Sequence, residues 1–154
     1  MTLVLPDPEA LCADLVRQLQ PRVTADTALV GIHTGGVWLA ERLHAALGIA
    51  LPLGLLDISF YRDDFDKTGL HPQIKPSQIP FEVGGRHIVL VDDVLYTGRT
   101  VRGAMNELFD YGRPASISLA VLIDRGGREL PVCAQYVGAK LEIPPGRMLV
   151  LDRD

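Results

Sequence analysis

The chain has 154 residues, 47% of them hydrophobic and 22% charged, with a formal net charge of −4. That is one ordinary domain, long and apolar enough to hold its own core. The acidic balance gives no general nucleic-acid footprint, and no apolar run approaches the ~20 residues of a membrane helix. Asp7, Pro8 and Glu9 come early with no basic stretch before them, so no secretory signal is expected and the cytoplasm is the expected compartment.

In chain order, Asp7-Pro8 reads as an N-cap and first helical position. Leu11, Leu15 and Leu19 then recur every four residues, which predicts an amphipathic helix ending near Pro21. Thr27 to Thr34 predicts a short buried strand, broken by Gly35-Gly36. A second helix follows, with Leu39, Leu43 and Leu47 on one face and Gly48 as its stop. Leu51 to Tyr61 reads as a strand. Residues 62 to 80 hold prolines, Gly69 and several charges without a period, the pattern of a long functional loop.

His87 to Val91 is a compact apolar strand, and Gly98 to Tyr111 a helix with Val101, Met105 and Leu108 on its face. Ala115 to Asp124 alternates as a strand; Ala134 to Gly138 and Met148 to Asp152 are shorter strand candidates. Strand and helix alternate through the centre, so the expected fold class is α/β with a mainly parallel sheet. Cys12 and Cys133 match no metal spacing and read as small buried hydrophobes, not as a disulfide. His33, His44, His71 and His87 suggest no metal cluster, and Trp38 reads as core or subunit contact.

The chemistry concentrates in Ile88-Val89-Leu90-Val91-Asp92-Asp93-Val94-Leu95-Tyr96-Thr97-Gly98-Arg99-Thr100. A buried strand delivers two adjacent carboxylates to its C-terminal end, the edge where ligands sit in open α/β sheets. A short loop with Thr97, Gly98 and Thr100 then opens a helix, whose unpaired N–H groups and positive dipole end suit a phosphate. Gly98 lets the backbone approach closely. The carboxylates suit sugar hydroxyls or a hydrated Mg²⁺. A phosphorylated ribose fits both halves. Locally, the same pattern also suits a helix capped by Thr97 with two carboxylates solvating a strand end. Gly-Lys-Ser/Thr and G-x-G-x-x-G are both absent, which argues against the common nucleotide loops.

The thirteen-residue string resembles the motif with which type I phosphoribosyltransferases bind 5-phosphoribosyl-1-pyrophosphate (PRPP). Asp57 to Asp64, Val91 to Thr100, Asp110 to Ser116 and Asp124 to Pro131 together resemble the pyrimidine operon regulatory protein family, from about Val30 to Gly138. That family joins uracil phosphoribosyltransferase activity to RNA-binding control of pyrimidine genes. The resemblance implies one phosphoribosyltransferase domain over residues 1–154, with a mobile loop at 62–80 and hood segments near 125–147.

It implies further that Asp92 and Asp93 meet the ribose hydroxyls, directly or through PRPP-bound Mg²⁺. Val94, Leu95, Tyr96, Thr97, Gly98, Arg99 and Thr100 would hold the 5′-phosphate. The His33-Thr34-Gly35-Gly36 turn would hold pyrophosphate, although many relatives place an arginine where Gly35 stands. Arg62 is the candidate pyrophosphate contact on the closing loop, and equally a solvated loop arginine. Asp124, Arg125, Tyr136 and Val137 would face the base, Tyr136 serving as well for ordinary packing.

The implied reaction is uracil plus PRPP giving UMP and pyrophosphate, with positioning and electrostatics carrying the load and no covalent nucleophile. UMP or UTP and a pyrimidine-operon leader RNA are the implied ligands, and a homo-oligomer, dimer or tetramer, the implied assembly. Two other readings stay open. One is an RNA-binding attenuator with little catalysis, which needs Arg17, Arg22, Arg42, Arg125, Arg128, Lys140 and Arg147 to cluster. The other is a phosphoribosyltransferase for a different base, such as a purine.

Overall fold

The computed structural model describes residues 6–58 and 77–144. Helix α1 spans Pro8–Leu19; Asp7 caps it by accepting from the Glu9 amide at 3.2 Å, and Leu11, Leu15 and Leu19 form its buried face. Pro21 cannot continue the ladder, and a 3₁₀ turn over Gln20–Arg22 takes the chain out. Strand β1, Thr27–Ile32, is buried at every position. Helix α2, Gly35–Leu47, stops at Gly48, which takes the left-handed conformation at φ +62°.

Strand β2 is Gly54–Leu56, β3 is His87–Leu95, helix α3 is Arg99–Phe109, β4 is Ser116–Asp124 and β5 is Tyr136–Lys140. The five strands pair in the order β2-β1-β3-β4-β5, all parallel. Parallel strands need helical crossovers, which cover both faces of the sheet. Leu29, Val89, Val91, Ala120 and Leu122 pack under α1 and α2. Ala28, Val30, Ile88, Leu90, Leu119 and Val121 pack under α3 through Val101, Ala104 and Leu108. Alternate strand residues thus feed two cores, as the two-residue period requires. Gly31 lets α2 lie close on β1, since a Cβ there would stand 2.9 Å from Ala40 Cβ and from Val37 Cα.

Several boundaries differ from expectation. The strand expected over 51–61 is only three residues long as far as the described chain runs, because only Gly54 to Leu56 find partners on β1. β3 does not end at Val91. Its ladder with β4 runs on to Leu95↔Asp124, so both acidic residues lie inside the strand. β5 starts two residues late, at Tyr136, where pairing with Ala120 begins. Cys133 is exposed and Cys12 half-buried, which corrects the buried reading of both, and both are free thiols. Burial nevertheless pushes the Cys12 thiol above its ordinary pKa.

Most of the expected loop 62–80 lies outside the described residues, as do Arg62 and the strand candidate at 148–152. Its last residues are anchored. Gln78 exchanges backbone hydrogen bonds with Leu55 at 2.7 and 2.8 Å, and Ser77 Oγ donates to Glu107 at 2.6 Å. No helix among the described residues is long and apolar enough to cross a membrane.

Candidate active site

The strand order places a topological switch between β1 and β3. β1 leads through α2 outward to β2, while β3 leads through α3 the other way to β4. The two connections diverge and leave a crevice at the C-terminal ends of β1 and β3. His33 to Gly36 leave β1 on one side of that crevice, and Asp92 to Thr100 leave β3 on the other.

Two helix N-termini open at this edge. α2 starts at Gly35 after Thr34, whose side chain gives no cap bond, and α3 starts after Gly98, which has no side chain to give. Thr97, the capping threonine expected from the sequence, stands one position before the N-cap, which is Gly98, and its Oγ1 accepts from the Arg99 amide at 3.2 Å. The first N–H groups of a helix have no partner within it, so two positive dipole ends converge on one crevice.

The turn after β1 lies hard against the acidic pair. A Cβ on Gly35 would strike the Asp93 carboxylate and lie 3.1 Å from Asp93 Cβ; one on Gly36 would strike the Val91 carbonyl and lie 3.0 Å from Asp92 Cα. Only glycines allow this approach. His33 donates its amide to the Leu56 carbonyl at 2.9 Å, which fixes where the turn begins, and the His33–Thr34 peptide is cis. Asp92 is buried and accepts from the Asp93 amide at 2.8 Å, while Asp93 accepts from the Val94 amide at 2.8 Å. Strand alternation turns adjacent side chains to opposite faces. The two carboxylates are therefore separate acceptors, not one fork.

The loop from Leu95 to Gly98 is held from behind. Arg125 N donates to Leu95 O at 3.1 Å, Arg128 Nη1 to Tyr96 O at 2.7 Å, and Glu129 N and Leu130 N to Thr97 O at 2.9 and 3.1 Å. Three consecutive carbonyls thus face the segment after β4. A trans peptide carries its N–H opposite its C=O, and none of these bonds is cis. The N–H groups of Tyr96, Thr97 and Gly98 therefore point away from that segment. Successive amides aimed one way form an anion nest. Gly98 sits at φ +95°, with a Cβ position 3.3 Å from Val132, so the sharp entry to α3 also needs glycine.

The segment after β4 carries the candidate base residues. Arg125 is buried and stacks on the Tyr96 ring, 4.0 Å from its centroid. Asp124 bonds Arg128 Nη2 at 2.6 Å and the Gly126 amide at 3.0 Å, so each carboxylate oxygen has a partner within the chain. Desolvation pushes the Asp124 carboxyl up, but the Arg128 and Gly126 hydrogen bonds and the charges of Arg128 and Lys140 outweigh it and leave it below the ordinary range. Tyr136 and Val137 are half-buried on β5, where Gln18 Nε2 donates to Val137 O at 2.9 Å from α1. Arg128 contacts the Tyr96 carbonyl, the Asp124 carboxylate and the Val132 carbonyl; the sequence offered it only inside the Asp124 to Pro131 segment and as a candidate patch cation, with no sign of these contacts.

Among the described residues no cluster of three or more His, Cys, Asp or Glu side chains offers a full metal cage. Asp92 and Asp93 are hard oxygen donors, which suits Mg²⁺ held jointly by carboxylate, water and substrate phosphate.

Comparison with known proteins gives the same frame. The phosphoribosyl transferase domain model matches residues 6–143. The bifunctional protein PyrR of Nitrosococcus oceani is 54% identical over 149 residues, covering 93% of this chain and 84% of that protein. PyrR of Pseudomonas syringae pv. syringae is also 54% identical, covering 96% and 89%. Among solved structures, a hypoxanthine phosphoribosyltransferase from Staphylococcus aureus matches with a TM-score of 0.70 at 25% identity, covering 96% of this chain and 81% of that one. A hypoxanthine-guanine phosphoribosyltransferase from Bacillus anthracis matches with a TM-score of 0.73 at 18% identity, covering 92% and 85%, a likeness of fold alone. A family model over residues 6–143 and relatives at 54% identity over most of both chains place it plainly: the chain belongs to the phosphoribosyl transferase domain family and, within it, to the family of bifunctional PyrR proteins.

Proposed function

We propose that the chain transfers the 5-phosphoribosyl group of PRPP to uracil, giving UMP and pyrophosphate, and that uridine nucleotides in the same site control its binding to pyrimidine-operon leader RNA. The observation that supports the first half is the hold on the Leu95, Tyr96 and Thr97 carbonyls from the segment after β4, which turns the opposite edge of those peptides toward the crevice at the start of α3. The second half rests on the family, whose members carry the name bifunctional.

In this reading the nest from Val94 to Thr100 binds the 5′-phosphate and fixes the ribose. Asp92 and Asp93 accept from its 2′- and 3′-hydroxyls. The amides of His33, Thr34, Gly35 and Gly36, at the N-terminus of α2, receive the pyrophosphate. Arg62 contributes a cation from outside the described residues. Uracil lies toward Asp124, Arg125, Tyr136 and Val137, its N1 aimed at the anomeric carbon.

The bond from C1′ to the pyrophosphate oxygen breaks, and its electron pair leaves with pyrophosphate. N1 of uracil bonds to C1′ and releases its proton to the departing group or to water. The dipole end of α2 stabilises the negative charge that grows on the leaving group. Bound Mg²⁺ would supply further charge neutralisation beside Asp92 or Asp93.

The test is turnover of uracil, cytosine, hypoxanthine and guanine with PRPP and Mg²⁺ by the intact chain. Uracil is expected to exceed each of the others by at least about tenfold in kcat/KM. A purine preference would overturn the base assignment, and no turnover of any base would overturn the enzyme reading.

A further inference from the structure

The phosphate loop has an outer wall, and most of its contacts are backbone to backbone. Arg125 N holds Leu95 O; Glu129 N and Leu130 N hold Thr97 O. The peptide between these two, whose carbonyl belongs to Tyr96 and whose N–H belongs to Thr97, is held by a side chain. Arg128 Nη1 donates to Tyr96 O at 2.7 Å.

That guanidinium is itself fixed. Its Nη2 bonds Asp124 Oδ2 at 2.6 Å, its Nε bonds Val132 O at 2.9 Å and its Nη1 also reaches Gly126 O at 3.3 Å. The pair is largely buried, with side-chain exposures of 23% and 14%. A planar fork with several fixed acceptors has little freedom left to lose on binding. By contrast, the neighbouring Arg99–Glu129 pair is half exposed on both sides and adds little.

We propose that Arg128 is a positioning residue for PRPP: through the Tyr96 carbonyl it holds the central peptide of the phosphate nest so that the Thr97 amide faces the ligand. The inference rests on the reading of this loop given under Proposed function. Arg128 touches no substrate atom. It lies behind the loop, on the side of its carbonyls. Without it the Tyr96 carbonyl loses the side-chain donor that orients its peptide, while the bonds at Leu95 and Thr97 still hold the loop on the sheet. Phosphate affinity falls and the base site keeps its wall.

Arg128→Ala, Arg128→Gln and Arg128→Lys test this, with PRPP affinity read by calorimetry and KM for PRPP and uracil read separately. Arg128→Ala is expected to raise PRPP Kd and KM about tenfold and leave the uracil KM within about twofold. Lysine reaches one acceptor where arginine reaches four, so Arg128→Lys is expected to recover part of the loss. Arg86→Ala is the control: Arg86 pairs with Asp26 at 2.7 Å at the opposite end of the sheet, and its loss is expected to leave both KM values unchanged.

A folded Arg128→Ala with unchanged PRPP affinity overturns the inference, as does an equal rise in both KM values with a lowered melting temperature. If the alanine variant does not fold, the glutamine and lysine variants decide by the same criteria. A wild-type chain that neither binds nor turns over PRPP overturns the reading of the site together with this inference. Wild-type PRPP binding beside unaffected variants overturns this inference alone.

Discussion

Asp93 lies with its carboxylate against the Cα of Gly35, and Asp92 is buried one residue before it. Replacing either by asparagine keeps the shape and removes a charge-assisted acceptor, worth on the order of 1.5–3 kcal/mol. Asp92→Asn and Asp93→Asn are each expected to lower PRPP turnover at least about tenfold with an unchanged circular dichroism spectrum; normal kinetics in both would remove the pair from the site. Asp124 is different in kind. Its carboxyl is held below the ordinary range chiefly because the Arg128 and Gly126 hydrogen bonds overcome its desolvation. A depressed folded pKa contributes stability that is complete above the unfolded value of about 4 and is lost as pH falls through the folded value. In an acid titration of the melting temperature, Asp124→Asn is expected to flatten that limb and leave a smaller difference from wild type at the lowest pH than at pH 7. The acidic strand end and the Thr-Gly turn into α3 were legible in the sequence because an apolar run followed by a glycine marks a strand-to-helix turn locally. The Asp124–Arg128 pair was not. It depends on Gly126 and Gly127, at φ +76° and +73°, folding the chain back on itself, and a glycine pair announces a turn without saying what the turn brings together.

Among the elements, α3 owes its start to Gly98. At φ +95° an alanine pays the left-handed strain of about 1–2 kcal/mol, and its Cβ would press on Val132 at 3.3 Å. Gly48 ends α2 at φ +62° with open space around it. The two substitutions therefore separate strain from function. Gly98→Ala and Gly48→Ala are both expected to lower the melting temperature, and only Gly98→Ala to raise the PRPP KM, by about tenfold; equal KM values in the two variants would detach the loop conformation from binding. Helices were legible almost to the residue, since their caps and leucine spacing are local. Strands were less so. The sequence of β3 turns acidic after Val91, yet its ladder with β4 continues to Leu95, because pairing is decided by the neighbour as much as by the strand itself. β2 shortens for the converse reason: only Val30, Gly31 and Ile32 stand opposite it.

For the whole molecule, the proposed RNA binding has to work from an acidic chain of net charge −4. Seven cations were candidates for a patch, and the structure ties three of them to carboxylates: Arg17 to Asp14, Arg42 to Glu9 and Arg128 to Asp124. Arg147 lies outside the described residues. A cation already paired releases fewer counterions from a phosphate backbone, since its own charge is compensated before the nucleic acid arrives. Seven phosphate contacts on a single strand would give a slope of about −5 in a plot of log affinity against log salt, at about −0.7 per contact. Leader RNA is therefore expected to bind with a slope shallower than about −5, to lose affinity when a mismatched leader replaces the native one, and to respond to UMP or UTP. A filter-binding titration across salt concentrations, with and without uridine nucleotide, measures all three. A slope of −5 or steeper would mean that the ion pairs open on binding and that the charge reading of the surface is wrong. No binding at low salt in either nucleotide state would leave a phosphoribosyltransferase without the regulatory half of the proposal.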